Sequence, residues 1–318
     1  MKSEFEFLAD IRRKYNLTRI GDDCAVLPKD AKTDLVITTD LLVEDIDFRL
    51  DWTRPEFLGH KALAVSLSDV AAMGAKPVWA MLSIGVPEKI WKTDFIDKFY
   101  EGWFALADKF GVELIGGDVS KTPDKIVIDS IAAGEVRKGK AVLRSGAKAG
   151  DLILATGFLG DAAAALRLLE KGERYGQSDY NDLLLKQLRP NPQTEIGQFI
   201  GENNLATAMI DLSDGLAADL FHICRESNVG ATLFEDKIPF QNPFYKFYPI
   251  FNLADSEENI YFSGEDFELL FTVSGDLYSE IEYILRNYQV IQMGRVTDKI
   301  EIINLRSRIL KPRGFTHF

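Results

Sequence analysis

Aspartates recur along this chain where apolar, β-branched stretches give way to glycine-bearing turns or to helices. They lie in GDDCAVLP at Gly21–Pro28, TTDLLVEDIDF at Thr38–Phe48, LSDVAAMGA at Leu67–Ala75, GGDVS at Gly116–Ser120 and IDLSDG at Ile210–Gly215. A fold that aims so many carboxylates at strand ends and helix starts needs cations to neutralise them. Hard oxygen ligands of this kind suit Mg²⁺ shared with nucleotide phosphates. The expected chemistry is Mg²⁺-dependent phosphoryl transfer, and no GxxxxGK[ST] phosphate loop is present to supply it by another route.

With 318 residues, 46% of them apolar, the chain is expected to form two domains with ample cores. A net charge of −12 argues against nucleic acid, which requires a basic face. It does not exclude anionic substrates, because bound divalent ions reverse the local field. The two cysteines, Cys24 and Cys224, show neither metal-ligand spacing nor a disulfide framework. The charged N-terminal stretch lacks an apolar signal core, and no segment reaches the apolar length of a membrane span. A cytoplasmic protein without membrane association is the expectation.

Strand-like and helix-like segments alternate, giving an α/β (α+β) chain. Asp34–Thr39 reads as a buried strand ending at Asp40. A helix is expected from Pro55 to Met73, with Thr53 and Glu56 in capping-box spacing and Gly74 past its end. Pro77–Val86, Val112–Ile115 and Ile126–Ala132 read as strands, with a helix over Thr93–Phe110. Arg137–Gly150 is basic and glycine-rich and marks the expected boundary between domains 1–137 and 138–318. Beyond it, strands are expected at Leu152–Ala155, Ala206–Ile210, Phe267–Val273 and Val290–Val296. Helices are expected at Asp161–Glu170, Tyr180–Leu188, Thr194–Glu202 and Gly215–Ser227. Pro239–Glu258 reads as an aromatic loop on the substrate side.

The aspartates differ in how strongly they point to a ligand. Asp22 and Asp23 would also suit an ordinary Asx turn. Asp40, beside Thr38 and Thr39, offers several oxygens to a metal, or caps a turn. Asp69 sits in a helix of small apolar residues, where an isolated carboxylate is expensive; Ser66 shares its face. Gly116 and Gly117 would let a phosphate approach the backbone ahead of Asp118. Asp211 and Asp214 flank Ser213 before a helix, whose first amides, from Gly215 onward, would favour an anion. Arg144 is the candidate cation for a nucleotide phosphate, with a solvated surface arginine as the alternative. Gly264-Glu265-Asp266 would hold substrate or form an acidic turn.

Taken together, GDDCAVL, ALAVSLSDVAAMGA, LIGGD, LRSGAKAGD, IDLSDGLAADL and SGEDFELLFTV resemble the thiamine-monophosphate kinase family. Its superfamily includes aminoimidazole ribonucleotide synthetase and selenophosphate synthetase, and the likeness is collinear from Gly21 to Phe315. It implies an N-terminal domain built on a mixed sheet that pairs in a homodimer, followed by a C-terminal α/β domain. Asp23, Thr38, Thr39, Asp40, Asp69, Asp118, Asp211 and Asp214 would bind several Mg²⁺ ions, with Asp40, Asp69, Asp118 and Asp211 catalytic. Gly117, Asp118, Arg144 and Ser213 would contact ATP. Asp47, where the family commonly has His, would approach the thiamine moiety with Glu265 and Phe315. The implied reaction converts ATP and thiamine monophosphate into ADP and thiamine diphosphate by direct in-line transfer. Alternatives are another ATP-dependent enzyme of the superfamily, or a non-catalytic nucleotide- or metal-binding protein.

Overall fold

The computed structural model describes residues 4–234, 237–238, 260–300, 302–304, 309–310 and 314. Phe315 and the loop 239–258, both expected on the substrate side, lie outside them. In chain order the elements are α1 (Glu4–Tyr15), β1 (Ala25–Pro28), β2 (Thr33–Val43), α2 (Pro55–Ala72), β3 (Lys76–Pro87), α3 (Glu88–Trp91) and α4 (Phe95–Phe110). These precede β4 (Glu113–Thr122), β5 (Val127–Arg137), β6 (Leu152–Thr156), α5 (Asp161–Glu170), α6 (Asn181–Leu188) and α7 (Thr194–Asn203). The last are β7 (Ala206–Asp211), α8 (Leu216–Ser227), β8 (Gly230–Leu233), β9 (Leu269–Val273), α9 (Tyr278–Asn287), β10 (Val290–Thr297) and β11 (Ile302–Asn304).

The elements divide into two compact units. One comprises Leu27–Ala141 and Asp161–Glu202, the other Met1–Val26, Val142–Gly160 and Asn203–Phe318. We call them the central unit and the flanking unit.

The central unit carries a five-stranded sheet in the order β1-β2-β5-β3-β4. β5 is antiparallel to both β2 and β3, whereas β4 runs parallel to β3. α2 is buried along nearly its whole circumference, from Leu58 to Ala72 apart from Asp69. A helix of Ala, Leu, Val and Ser has no polar stripe to show to water, so it is driven into the interior. Its start differs from the capping-box expectation. Arg54 is the N-cap, in extended conformation, and its side chain makes no capping hydrogen bond. Pro55 takes the first helical position and leaves Thr53 one residue too early to reach the free amides.

Two further expectations are revised here. β2 continues past Asp40 to Val43, because its ladder with β5 runs unbroken from Thr33↔Arg137 to Val43↔Val127. β4 includes Gly116, Gly117 and Asp118 rather than ending before them, since its pairing with β3 persists to Thr122. Gly117 is required by β3, not by a turn: its φ is +151°, and a Cβ there would lie 1.9 Å from the Leu82 carbonyl oxygen.

The flanking unit carries a six-stranded sheet, β11-β8-β10-β6-β9-β7. α8 buries Leu216, Leu220, Ile223 and Cys224 against Ile153, Ile210, Leu270 and Met293 of that sheet. This core fixes the end of β7 and the start of α8, and with them the turn that joins the two.

Candidate functional site

In the flanking unit the Gly21–Cys24 bend leads into β1 and meets the segment around Arg144. Asp22 Oδ1 accepts from the Arg144 backbone amide at 2.8 Å. Asp23 Oδ1 accepts from Arg144 Nε at 3.1 Å and from Nη2 at 2.5 Å. The Asp23 side chain is fully buried and that of Arg144 only 20% exposed, so the arginine is no solvated surface residue. Asp22 therefore shapes the junction by holding a backbone amide, while its neighbour takes the guanidinium.

Asp211, the last residue of β7, is 2% exposed. Asp23 and Asp211 bring carboxylate oxygens within 4.8 Å of each other. Asp23 Oδ2 is buried without a hydrogen-bond partner among the described residues. Burial holds the Asp23 carboxyl above its usual range, opposed by Arg144 and reinforced by Asp22. Two buried carboxylates, one with an unused oxygen, are what an oxygen-ligated divalent ion requires. The residues present fit such an ion.

Beyond Asp211 the chain turns through Leu212–Gly215 into α8. The Ser213 carbonyl accepts from the Glu265 amide at 2.9 Å, and the Leu212 carbonyl accepts from the Phe267 amide at 2.9 Å. Ser213, Asp214 and Glu265 are half-buried and are held in one piece by these bonds. The Gly215 amide, expected to face an anion, is instead buried. It donates to Asp219 Oδ2 at 3.0 Å, and the Asp214 amide donates to the same oxygen at 3.2 Å. Asp219 is 1% exposed. Burial, then the like charges of Asp214 and Asp211, holds its carboxyl well above the usual range.

In the central unit the alternation of β2 divides its candidates between the two faces of the sheet. Thr38 and Asp40 face α2. Thr38 donates to Asp69, and Ser66 Oγ donates to Asp40 Oδ2 at 2.7 Å while lying 3.0 Å from Ser130 Oγ. Asp69 is half-buried rather than enclosed. The Asp40 carboxyl is raised to about 6 by burial and by the charges of Asp129 and Asp47, against the opposing bond from Ser66. Thr39 faces the other way and donates to Asp129 Oδ1 at 2.7 Å. Asp118, Ser83 and Asp129 stand in register across β4, β3 and β5. With Ser120 and Thr122 they line an open cleft of about 320 Å³.

Asp47 closes the turn after β2, where its Oδ2 accepts from the Val43 amide at 2.7 Å. Lys61 Nζ donates to its backbone carbonyl at 3.3 Å. His60 is buried, with a ring nitrogen 2.7 Å from the Pro190 carbonyl, as expected of a structural histidine. Asp129, Ser130 and Asp219 were not singled out from the sequence. Asp219 had a visible signal, an acid in the first turn of a helix inside IDLSDGLAADL; the alternation of β5 could have marked Asp129 and Ser130.

Residues 21–136 match the family model of the AIR synthase related protein N-terminal domain, and residues 148–303 that of the C-terminal domain. A thiamine-monophosphate kinase of Bacillus subtilis is 35% identical over 94% of this chain and 93% of its own length. The chain belongs to the thiamine-monophosphate kinase family. Another member, from Escherichia coli K12, is 39% identical over 80% of this chain and 75% of that protein. A solved structure described as AaThiL complexed with AMPPCP and TMP is 30% identical, with a TM-score of 0.88. It covers 99% of this chain and 97% of that one. Membership in this kinase family makes the chain an enzyme of the phosphotransferase class, with two AIR synthase related domains on mixed sheets. No helix among the described residues is long and apolar enough to cross a membrane.

Proposed function

We propose that the chain transfers the γ-phosphoryl group of ATP to thiamine monophosphate, giving ADP and thiamine diphosphate. The observation that carries the reading is the buried Asp23–Asp211 pair, with its unused oxygen and the Arg144 guanidinium beside it. A relative described with AMPPCP and TMP across almost the same length supports the choice of substrates.

Asp23, Asp211 and Asp214 of the flanking unit and Thr38, Thr39, Asp40, Asp69 and Asp118 of the central unit are the proposed Mg²⁺ ligands. Bound Mg²⁺ would neutralise charge on the nucleotide's phosphate oxygens. Asp40, Asp69, Asp118 and Asp211 are the residues we assign to catalysis. Arg144, Ser213, Gly117 and Asp118 hold ATP in this reading, with Arg144 as the one cationic donor. Asp47, Glu265 and Phe315 approach the thiamine moiety. Asp47 already accepts a backbone amide, so its carboxylate stays put and presents fixed negative charge to the cationic thiazolium.

The acceptor phosphate is largely ionised at neutral pH, so in-line attack needs positioning rather than a strong general base or a phosphoenzyme. The chain further acts as a cytoplasmic homodimer, in domains 1–137 and 138–318.

The test is ADP formation by the purified protein with ATP and Mg²⁺, with and without thiamine monophosphate, the thiamine product being separated by chromatography. Thiamine diphosphate should accumulate mole for mole with ADP, and Asp69→Asn should remove both. ADP formation that ignores thiamine monophosphate would sink the assignment.

A further inference from the structure

Asp219 belongs to none of the proposed ligand sets, yet it is a fully buried carboxylate directed at the turn that carries them. Its Oδ2 collects the amides of Asp214 and Gly215 at 3.2 and 3.0 Å. Those donors would otherwise be open at the start of α8. Gly215 itself sits at φ +116°, ψ 152°, a conformation that L side chains rarely adopt. A Cβ there would lie 2.9 Å from the Ser263 carbonyl oxygen. Such a turn persists only where its surroundings over-determine it. On one side the Ser263–Phe267 segment does so through the Glu265 and Phe267 amides. On the other side Asp219 is the side chain that binds the turn's own amides.

We infer that Asp219 is a positioning residue for phosphoryl transfer: through the Leu212–Gly215 turn it aims the Asp214 carboxylate and Ser213 without touching either substrate. This rests on the reading that Asp211 and Asp214 hold Mg²⁺. A residue with only a packing role would lower stability when replaced and leave metal affinity alone. Replacing a residue that orients a ligand lowers metal affinity, by about 10–100-fold in other metal sites.

The test follows the rise of the melting temperature with Mg²⁺ concentration in the purified full chain, without nucleotide, for the wild type and three variants. Asp219→Ala removes the acceptor and is expected to raise the Mg²⁺ midpoint at least tenfold. Asp219→Asn keeps an acceptor oxygen and should return it to within about threefold. Asp219→Glu keeps the charge but shifts the acceptor by one methylene, and should also raise the midpoint. That variant decides the matter if Asp219→Ala does not fold. ATP binding in excess Mg²⁺ should weaken in parallel with the midpoint. A wild-type midpoint in Asp219→Glu, or in a folded Asp219→Ala, overturns the inference while leaving the proposed function standing. No Mg²⁺ response in the wild type overturns both.

Discussion

In the flanking unit Asp23 is held by a guanidinium, and in the central unit Asp40 and Asp69 are held by the hydroxyls of Ser66 and Thr38. The two arrangements prepare a carboxylate for a cation in different ways. Arg144 brings a full charge and can support a carboxylate with no exposed surface. A hydroxyl brings one hydrogen bond and no charge, and Asp40 and Asp69, which receive one, keep some contact with water. Of these three carboxylates, the most deeply buried is the one beside a cation.

The comparison breaks most sharply at Arg144. Arg144→Ala leaves Asp23 buried beside Asp211 without its cation, and is expected to lower metal-free stability by about 3–5 kcal/mol. Urea denaturation in EDTA near neutral pH measures this. A loss under about 1 kcal/mol would mean that the ion pair is not what holds Asp23.

Asp40→Asn should act in the opposite direction. The Asp40 carboxyl is raised from 3.8 to about 6, so the folded chain keeps this proton to higher pH than the unfolded chain does. Below 3.8 both states are protonated and nothing is lost. As pH rises from 3.8 through 6 the unfolded state ionises first and stability falls, and above 6 the loss is complete. The shift corresponds to about 3 kcal/mol, and partial exposure reduces the expected gain from Asp40→Asn to about 1–2 kcal/mol at pH 7.5. The gain should vanish near pH 3.5 in metal-free denaturation curves. A variant less stable than wild type at pH 7.5 would show that the charge on Asp40 supports the fold.

Ser66→Ala sharpens the same contrast on a smaller scale. It removes the donor to Asp40 and is expected to cost about 1 kcal/mol, with little change in the helix that carries it. Thr53→Ala should change stability by less than about 0.5 kcal/mol in the same assay, because Thr53 caps nothing. A loss of 1 kcal/mol or more there would restore the capping box.

Much of the architecture was legible in the residues. Asp161–Glu170 reads as a helix and is one, and the helices at Leu216–Ser227 and Thr194–Asn203 fall within a residue of their expected bounds. Their apolar periodicity and their flanking Gly and Pro act locally. Strand ends were less legible. β2 and β4 run on through Asp40 and Gly117 because ladder pairing with β5 and β3 outweighs a polar or glycine residue. Pairing of that kind is set by chain segments up to about a hundred residues away, and no local window contains it.

The candidate site divides along the same line. Asp23, Asp40, Asp69 and Asp211 stand out in the sequence because carboxylates inside apolar or glycine-rich surroundings need a physical reason. Their partners do not stand out. Arg144 lies 121 residues from Asp23, and Ser130 lies 64 from Ser66. That Thr39 faces Asp129 while Thr38 faces Asp69 follows from strand alternation only once β2 is known to be a strand at both positions.

The sequence alone determined the chemical inventory: hard oxygen ligands, a basic and glycine-rich connection that carries Arg144, a helix too apolar to be exposed, and a net charge of −12. Those follow from composition and short-range spacing. Only the tertiary structure decided that Arg144 neutralises Asp23, that hydroxyls hold Asp40 and Asp69, and that the Gly215 amide turns inward to Asp219. The first two are contacts between distant segments, and the third, four residues apart, forms inside a turn whose burial the rest of the unit sets. The strength of each depends on burial and orientation, which a chain acquires only when its sheets and helices have packed.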